Sequence, residues 1–223
     1  MNEILEQVRE ALPAEGLDAL VVSCAVEDSF GHHGANRRYV SGFSGSTGLV
    51  LVTGDAAILA VDSRYAEQAA SESPGFQIWP TPRERQRRWF PRLLSDAALA
   101  GKRVGVSPDD MSVSEYVVVQ EAAQSFDAGA RPDIVAAPRL IERLRARKTA
   151  AERARIQKAV AVADRAYENI LPAVVAGANE RELASEIEEA VRAEGGEGLS
   201  FETIVAAGPW GAQVAAEFGT PIP

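Results

Sequence analysis

Two unbroken apolar runs, LVLV at residues 49–52 and AAILAV at residues 56–61, stand on either side of Thr53-Gly54-Asp55. Apolar runs of this length are typical of β-strands, and a Gly-Asp pair between them is typical of a tight turn. This segment therefore predicts an antiparallel β-hairpin, which any fold of the chain has to accommodate.

The residues before the hairpin predict a helix and then a strand. Apolar side chains recur at helical spacing near the start of the chain: Ile4, Leu5, Val8 and Leu12. Pro13 and Gly16 end this helix, and LDALVVS at residues 17–23 follows. Its continuous apolar centre is typical of a strand buried on both faces. A helix followed by a buried strand indicates a layered α/β domain.

The same pattern returns further along the chain. Residues 103–106 predict a short strand, after which Ser112 and Glu115 have the spacing of a capping box at the start of a helix. Thr149 and Glu152 form a second such box, so that another helix is expected to begin at Ala150.

After residue 150 the pattern changes to two helices and a terminal strand. The first helix is expected to bury one apolar stripe: Ile156, Val160, Ala163, Tyr167, Ile170 and Leu171. Asn179 caps the second helix, Gly195 ends it, and residues 203–206 resemble a strand. The predicted organisation is a first domain at residues 1–135, a Pro- and Arg-rich linker at 136–149, and the opening of a second domain at 150–223.

Composition excludes several classes of partner. The net charge is −9 over 223 residues, whereas a nucleic-acid or anionic-membrane surface would need an excess of cations. No run approaches the roughly 18 apolar residues of a membrane span. The amphipathic start of the chain is unlike a signal peptide, so a cytoplasmic location is predicted. The single cysteine, Cys24, is interpreted as a buried packing residue.

Four local patterns suggest chemistry, and each has a structural explanation. The glycines of GFSGSTG at residues 42–48 precede a strand, which favours a close-packed turn over a phosphate loop. Asp62 and Arg64 are expected to form an ion pair at the strand exit. One basic and aromatic cluster favours a helix with its arginines in solvent and its rings inward: Arg83, Arg85, Arg87, Arg88, Arg92, Trp89 and Phe90. One acidic set favours a solvated helix face over a metal site: Glu182, Glu186 and Glu189.

His32 and His33 are the only histidines and stand side by side in a polar loop. Neighbouring side chains in an extended segment point in opposite directions, and neither a third histidine nor a second cysteine is present to complete a metal site with them. They either lie in a solvent-exposed loop or contact a substrate or partner.

Five segments together carry a family resemblance, in this order: NRRYVSGFSGSTG, VDSRYAEQA, RARKTAAERARIQKA, GANERELASEIE and SFETIVAAGP. They resemble the creatinase, prolidase and Xaa-Pro aminopeptidase family across nearly the whole chain. The resemblance implies an α/β fold: a creatinase-type N-terminal domain with a mixed, ribonuclease H-like sheet flanked by helices, followed by an incomplete pita-bread α+β domain. Complete members bind two divalent metal ions, commonly manganese, and cleave the bond before a proline.

The resemblance also implies what this chain lacks. The metal-binding carboxylates and histidine of the family follow the SFETIVAAG strand, so no catalytic, cofactor-binding or metal residue is expected within residues 1–223. A histidine that the family places about seven residues after that strand corresponds to Ala215. The chain is therefore predicted to be truncated and inactive on its own, binding proline-containing peptides only if completed.

Three alternatives stay open for function and partners. The chain is an incomplete Xaa-Pro peptidase, a non-catalytic module that dimerises or binds a full-length relative, or a small-molecule binding protein built on the glycine-rich hairpin. A homodimer or an association with a full-length relative is expected, with neither nucleic acid nor membrane as a partner. In the family the N-terminal domain brings a loop towards the neighbouring subunit's active site, and His32, His33 and Arg37 are the candidates for that contact.

Overall fold

The computed structural model describes residues 3–24, 34–82, 86–208 and 211. The chain divides into two compact units, Met1–Arg147 and Lys148–Pro223. Among the described residues, no helix is both long enough and apolar enough to cross a membrane. His32 and His33, together with Arg83 and Arg85 of the basic cluster, lie outside the described residues.

The first unit is a sheet covered by helices on both faces. Its elements in chain order are α1 (Glu3–Ala14), β1 (Ala19–Val22), α2 (Ala35–Ser41), β2 (Leu49–Thr53), β3 (Ala57–Val61), α3 (Ala66–Glu72), β4 (Gln77–Pro80), α4 (Gln86–Asp96), β5 (Arg103–Val106), α5 (Val113–Gln124), β6 (Asp133–Ala136) and α6 (Leu140–Ala146). The strand order is β4-β3-β2-β1-β5-β6. Strand β2 runs antiparallel to both of its neighbours, and every other pair is parallel. The predicted mixed α/β sheet is confirmed.

Alternate residues of each central strand face different cores, which explains the unbroken apolar runs. In β1, Leu20 and Val22 pack against α1, α2, α3 and α6, whereas Ala19 and Val21 pack against α4 and α5. All four residues are fully buried. The predicted hairpin is confirmed as β2–β3, whose turn is closed because the Ala56 amide donates to Thr53 Oγ1 at 2.8 Å.

The local helix signals are confirmed at several positions. Reciprocal capping boxes join Ser112 to Glu115 and Thr149 to Glu152. Asn179 accepts from the amides of Arg181 and Glu182 at the start of α8 (Glu180–Ala193). In α4, Trp89 and Phe90 are buried and the described arginines are exposed, as the basic and aromatic pattern predicted.

The predicted linker differs from the structure. Residues 136–149 include α6, whose Leu140 and Ile141 belong to the core of the first unit. Leu140, Ile141 and Leu144 have the spacing of a helix face, and this pattern outweighs the proline and arginine signals around it. The first unit accordingly continues to Arg147.

The second unit contains α7 (Ala150–Ile170), a 3₁₀ turn (Leu171–Ala173) and α8 among its described residues. The predicted apolar stripe of α7 is largely wrong: the buried residues are Val162, Ala166 and Ile170, while Ile156, Val160 and Tyr167 are exposed. Since α7 is apolar on more than one side, spacing alone does not decide which side packs. Residues 203–206 have no strand conformation and pair with none of the described strands.

Candidate functional site

The polar groups of the first unit converge at one edge of its sheet. Strands β1, β3, β4, β5 and β6 run in the same direction, so their carboxyl ends meet at this edge. Crevices at such edges are the usual ligand sites of parallel α/β sheets. The family-type segment NRRYVSGFSGSTG forms α2 and the glycine loop, residues 42–48, and both lie here.

Arg37 holds the glycine loop from inside. Its side chain is only 2% exposed, and the guanidinium donates from Nη2 to the Gly45 carbonyl and from Nη1 to Cys24 Sγ at 3.6 Å. The same guanidinium lies 5.0 Å from the centre of the Phe43 ring, within range of a cation–π contact. Burial lowers the pKa of Arg37, yet an arginine remains charged in proteins. Arg37 thus joins α2, the end of β1 and the glycine loop.

Glycines allow this close arrangement. Gly34 precedes α2 with φ +67°, and a Cβ there would lie 2.7 Å from the Cβ of Cys24. Gly42 ends α2 with φ +78°, and its amide donates to the Arg38 carbonyl. Both positions combine a left-handed backbone with a crowded or helix-ending site. The prediction of a close-packed turn in GFSGSTG is confirmed.

The outer side of the loop is held as well. The Ser44 amide donates to Glu72 Oε2 at 2.7 Å, and this bond lowers the pKa of the Glu72 carboxyl. Ser46 Oγ and the Tyr65 hydroxyl lie 2.8 Å apart, and the Tyr65 ring meets Phe43 edge-on at 5.7 Å. The loop is therefore a clamped scaffold with contacts on both sides.

A cavity of about 390 Å³ opens beside this loop. It is lined in part by Cys24, Thr47, Asp62 and Glu115. Both carboxylates are engaged: Asp62 forms the predicted ion pair with Arg64 at 2.8 Å, and Glu115 accepts from Ser23 Oγ at 3.0 Å. Cys24 is half-buried, and its thiol donates to the Gly48 carbonyl at 3.1 Å. Burial raises the pKa of the Cys24 thiol, which disfavours the reactive thiolate.

A buried polar network surrounds Asn36, the residue before Arg37 in α2. Asn36 is 2% exposed, and its Nδ2 donates to Asp110 Oδ2 at 2.7 Å and to Glu142 Oε1. Its Oδ1 accepts from Arg145 Nη1 at 2.6 Å, and Ser107 Oγ donates to Asp110 Oδ2 at 2.7 Å. One amide therefore connects α2 with the turn after β5 and with α6.

Asp110 titrates differently from an exposed aspartate. Burial raises its pKa above the ordinary value of 3.8, and nearby Glu142 adds to this effect. Hydrogen bonds from Ser107 and Asn36, and the charge of Arg145, act in the opposite direction. The native state therefore binds this proton more tightly than the unfolded chain does.

The substitution Asp110→Asn tests this environment. We expect the free energy of unfolding of the wild type, relative to that of the variant, to fall as the pH rises from 3.8 through the raised native pKa, and to level off above it. Urea unfolding between about pH 3 and about pH 8 measures the difference. The matched control is Asp109→Asn, which makes the same chemical change at the neighbouring exposed position and is expected to change stability at neutral pH by less than about 0.5 kcal/mol. A difference that rises with pH would contradict the assignment.

Of the three predicted site residues, His32, His33 and Arg37, the structure describes only Arg37. Arg37 is buried, so its side chain does not lie on the surface of the first unit, and any effect on a partner would pass through the loop that it holds. The contact proposed for His32 and His33 stays a prediction. The partners of Asn36 were missed because they lie 74 and 106 residues away in the sequence, where no local spacing indicates them.

The second unit holds the acidic set on α8. Glu182, Glu186 and Glu189 are all exposed, as predicted. Throughout the described part of the chain, no group of three or more His, Cys, Asp or Glu side chains has a metal-binding arrangement. The described residues therefore do not fit a two-metal centre.

Comparisons with known proteins match both units. The Creatinase/Prolidase N-terminal domain matches residues 4–147, and Metallopeptidase family M24 matches residues 154–220. An uncharacterised peptidase of Bacillus subtilis, YqhT, is 30% identical over 205 residues, which cover 92% of this chain and 53% of that protein. The chain thus spans about half the length of this relative.

Solved structures agree on the fold. An Xaa-Pro dipeptidase from Bacillus anthracis matches with a TM-score of 0.73 and 26% identity, over 88% of this chain and 50% of that one. A prolidase from Pyrococcus horikoshii matches with a TM-score of 0.76 and 22% identity, over 99% and 57% of the two chains. The chain belongs to the creatinase, prolidase and Xaa-Pro aminopeptidase family and comprises its N-terminal domain and the start of its catalytic domain.

Proposed function

We propose that the chain forms the N-terminal domain and the opening of the catalytic domain of a metal-dependent Xaa-Pro peptidase, and that residues 1–223 alone do not cleave Xaa-Pro peptides. The first part of this proposal is supported by the two family models, which match consecutive stretches of the chain in the order N-terminal domain and then peptidase domain. The B. anthracis dipeptidase, which matches both units in fold, supports an Xaa-Pro substrate.

The second part of the proposal follows from what the chemistry requires. A metal-dependent peptidase uses a bound cation to generate a nucleophilic water at neutral pH, and that cation needs several carboxylate or imidazole ligands. The family resemblance assigns these ligands to positions after residues 200–209. The described residues offer no such set of metal ligands, so we propose no role for them in the hydrolysis itself.

The expected result is no metal-dependent turnover by the purified chain. The assay uses an Xaa-Pro dipeptide and a longer Xaa-Pro peptide with added Mn²⁺, and a complete Xaa-Pro dipeptidase such as that of B. anthracis is the positive control. Turnover that requires metal and follows the chain through two purification steps would contradict the second part of the proposal.

A second candidate function is a non-catalytic module that pairs with another copy or with a full-length relative. The exposed apolar side chains of α5 in the first unit, Val113 at 82% and Val117 at 42%, favour it, since contiguous exposed apolar surface marks interaction sites. Light scattering over a range of concentrations tests this function. A chain that stays monomeric throughout would exclude self-pairing.

The cytoplasmic location and the domain limits are further proposals. We place the N-terminal domain at residues 4–147 and the start of the catalytic domain at 154–220, where the two family models match.

A further inference from the structure

The cavity beside the glycine loop lies where α/β sheets commonly bind ligands. Strands β1 and β5 are adjacent and parallel. The helix after β1, α2, packs on one face of the sheet, whereas α5, which follows β5, packs on the other. Where two such connections diverge, a crevice opens outside the carboxyl ends of the strands. Ser23 after β1 and Glu115 of α5 both line the cavity, so the cavity includes this crevice.

The lining of the cavity combines an apolar part with several polar groups. Leu49, Ala60 and Trp89 belong to the core between the sheet and helices α4 and α5. The polar side chains come from loops and helix starts: Ser23, Cys24, Ser46, Thr47, Asp62, Thr81, Gln86 and Glu115. The volume of about 390 Å³ is within the range of small-molecule sites, roughly 300–1,000 Å³. Size and lining therefore both suit a small ligand.

Three of the polar side chains are available to a ligand. Thr47, Thr81 and Gln86 line the cavity, and their side chains form no hydrogen bond with any residue that the structure describes. A hydroxyl or an amide both donates and accepts hydrogen bonds. A ligand with its own donors and acceptors would therefore meet unused partners on the cavity wall.

The charged side chains of the lining have a single sign. They are Asp62 and Glu115, and no arginine, lysine or histidine occurs among the described residues that line the cavity. Arg64, which pairs with Asp62, is 73% exposed and lies outside the lining. Glu115 accepts hydrogen bonds from Ser23 and Ser112, which are neutral. A cleft with carboxylates of one sign attracts cations and repels anions.

We infer that this cavity binds a small organic cation, a primary ammonium compound that also carries hydroxyl or amide groups. Asp62 and Glu115 attract the ammonium group, and the three unbonded polar side chains bind the remaining polar groups. The Trp89 indole offers an apolar surface to the carbon skeleton. All lining residues belong to the first unit, so binding here is independent of the Xaa-Pro hydrolysis proposed above.

Cys24 provides a direct measure of occupancy. It lines the cavity and is the only cysteine of the chain, so alkylation by iodoacetamide labels one known position. The probe is L-serinamide, which carries an ammonium, a hydroxyl and an amide group. Saturating serinamide is expected to slow the alkylation of Cys24 at least roughly fivefold, because the bound probe covers the thiol. Calorimetric titration with serinamide measures binding independently of the thiol.

Two further compounds test the charge of the ligand. N-acetyl-L-serinamide retains the hydroxyl and amide groups but lacks the positive charge, and inorganic phosphate carries the opposite charge. Both are expected to bind at least roughly tenfold more weakly than serinamide. Raising the salt from about 0.05 M to about 0.5 M is expected to weaken the binding of serinamide.

Conservative variants test the two carboxylates. Asp62→Asn and Glu115→Gln each remove one negative charge and keep a hydrogen-bonding side chain, and glutamine also suits the capping box of α5. Each is expected to bind serinamide at least roughly fivefold more weakly than the wild type. The matched control is Glu67→Gln, which removes an exposed carboxylate of α3 outside the lining and is expected to leave binding unchanged.

Three results would overturn the inference. The first is serinamide that neither protects Cys24 nor gives a calorimetric signal at about 50 mM, which is weaker than a specific site of this size should bind. The second is N-acetylserinamide or phosphate that binds as tightly as serinamide. The third is a pair of folded carboxylate variants that bind as the wild type does. The comparison of the three compounds uses the wild type alone, so it decides the question even if a variant fails to fold.

Discussion

Arg37→Ala is expected to lower the free energy of unfolding of the first unit by about 3 kcal/mol. The substitution removes the donors to Gly45 and Cys24 and leaves the buried Gly45 carbonyl without its partner. It also removes the contact with the Phe43 ring and the packing of the aliphatic stem. Part of this loss is offset because the variant no longer buries a charged group. The lowered pKa of Arg37 reflects the same cost, since burial disfavours the charged form of the side chain.

Arg38→Ala is the matched control for this prediction. Arg38 is the next residue of the same helix, but its side chain is exposed, so truncation is expected to change stability by less than about 0.5 kcal/mol. Arg37→Lys retains the charge without the planar fork of donors and is expected to recover only part of the loss. Denaturant unfolding measures all three variants. Equal effects at both arginines would exclude Arg37 as the residue that holds the glycine loop.

The position of Arg37 bears on how the family-type segment works. The sequence suggested a direct contact with a partner, and the structure assigns the side chain to the inside of the glycine loop. Among the described residues, the glycine loop offers a surface that a partner can reach at this edge, and Arg37, Glu72 and Tyr65 hold it in place. A substitution at Arg37 would therefore act on a partner indirectly, by changing the shape of this surface.

Sequence patterns predicted the features that depend on near neighbours. The β2–β3 hairpin, the Ser112 and Thr149 capping boxes and the Asp62–Arg64 pair each involve residues close together in the chain. In each case one backbone turn brings the partners together. Spacing alone was therefore enough to predict these features.

Features that depend on distant partners were not accessible in this way. Strands β4 and β6 are the two outermost strands of the sheet, and each has only four residues and one neighbouring strand. Their burial patterns do not show the continuous apolar signal of the central strands. The buried side of α7 depends on where α8 packs, which its own sequence does not determine.

The substitution Asn36→Asp is expected to destabilise the first unit strongly. Asn36→Asp keeps the shape of the side chain but replaces its two N–H donors with an oxygen that faces Asp110 and Glu142. Three carboxylates would then share one buried site with a single arginine, Arg145. We expect a loss of about 4 kcal/mol at neutral pH, as for other buried charges that lose their partner.

The pH dependence separates this electrostatic effect from a packing effect. Like charges at close range raise the pKa of at least one carboxyl, so the native variant binds protons more tightly than its unfolded chain. Its deficit relative to the wild type is therefore expected to shrink as the pH falls and to grow as the pH rises. Urea unfolding of both proteins between about pH 4 and about pH 8 measures this.

Asn179→Asp provides the matched control, because it makes the same chemical change at a helix cap. There the Asn179 side chain only accepts hydrogen bonds, from the amides of Arg181 and Glu182, and aspartate caps a helix about as well as asparagine. Its effect is expected to stay within about 0.5 kcal/mol at neutral pH. A deficit at Asn36→Asp that is large but independent of pH would indicate a packing defect. Because Asp110 lies in the turn after β5 whereas Glu142 and Arg145 lie on α6, a pH-dependent deficit would show that one buried amide keeps two carboxylates from separate parts of the fold together.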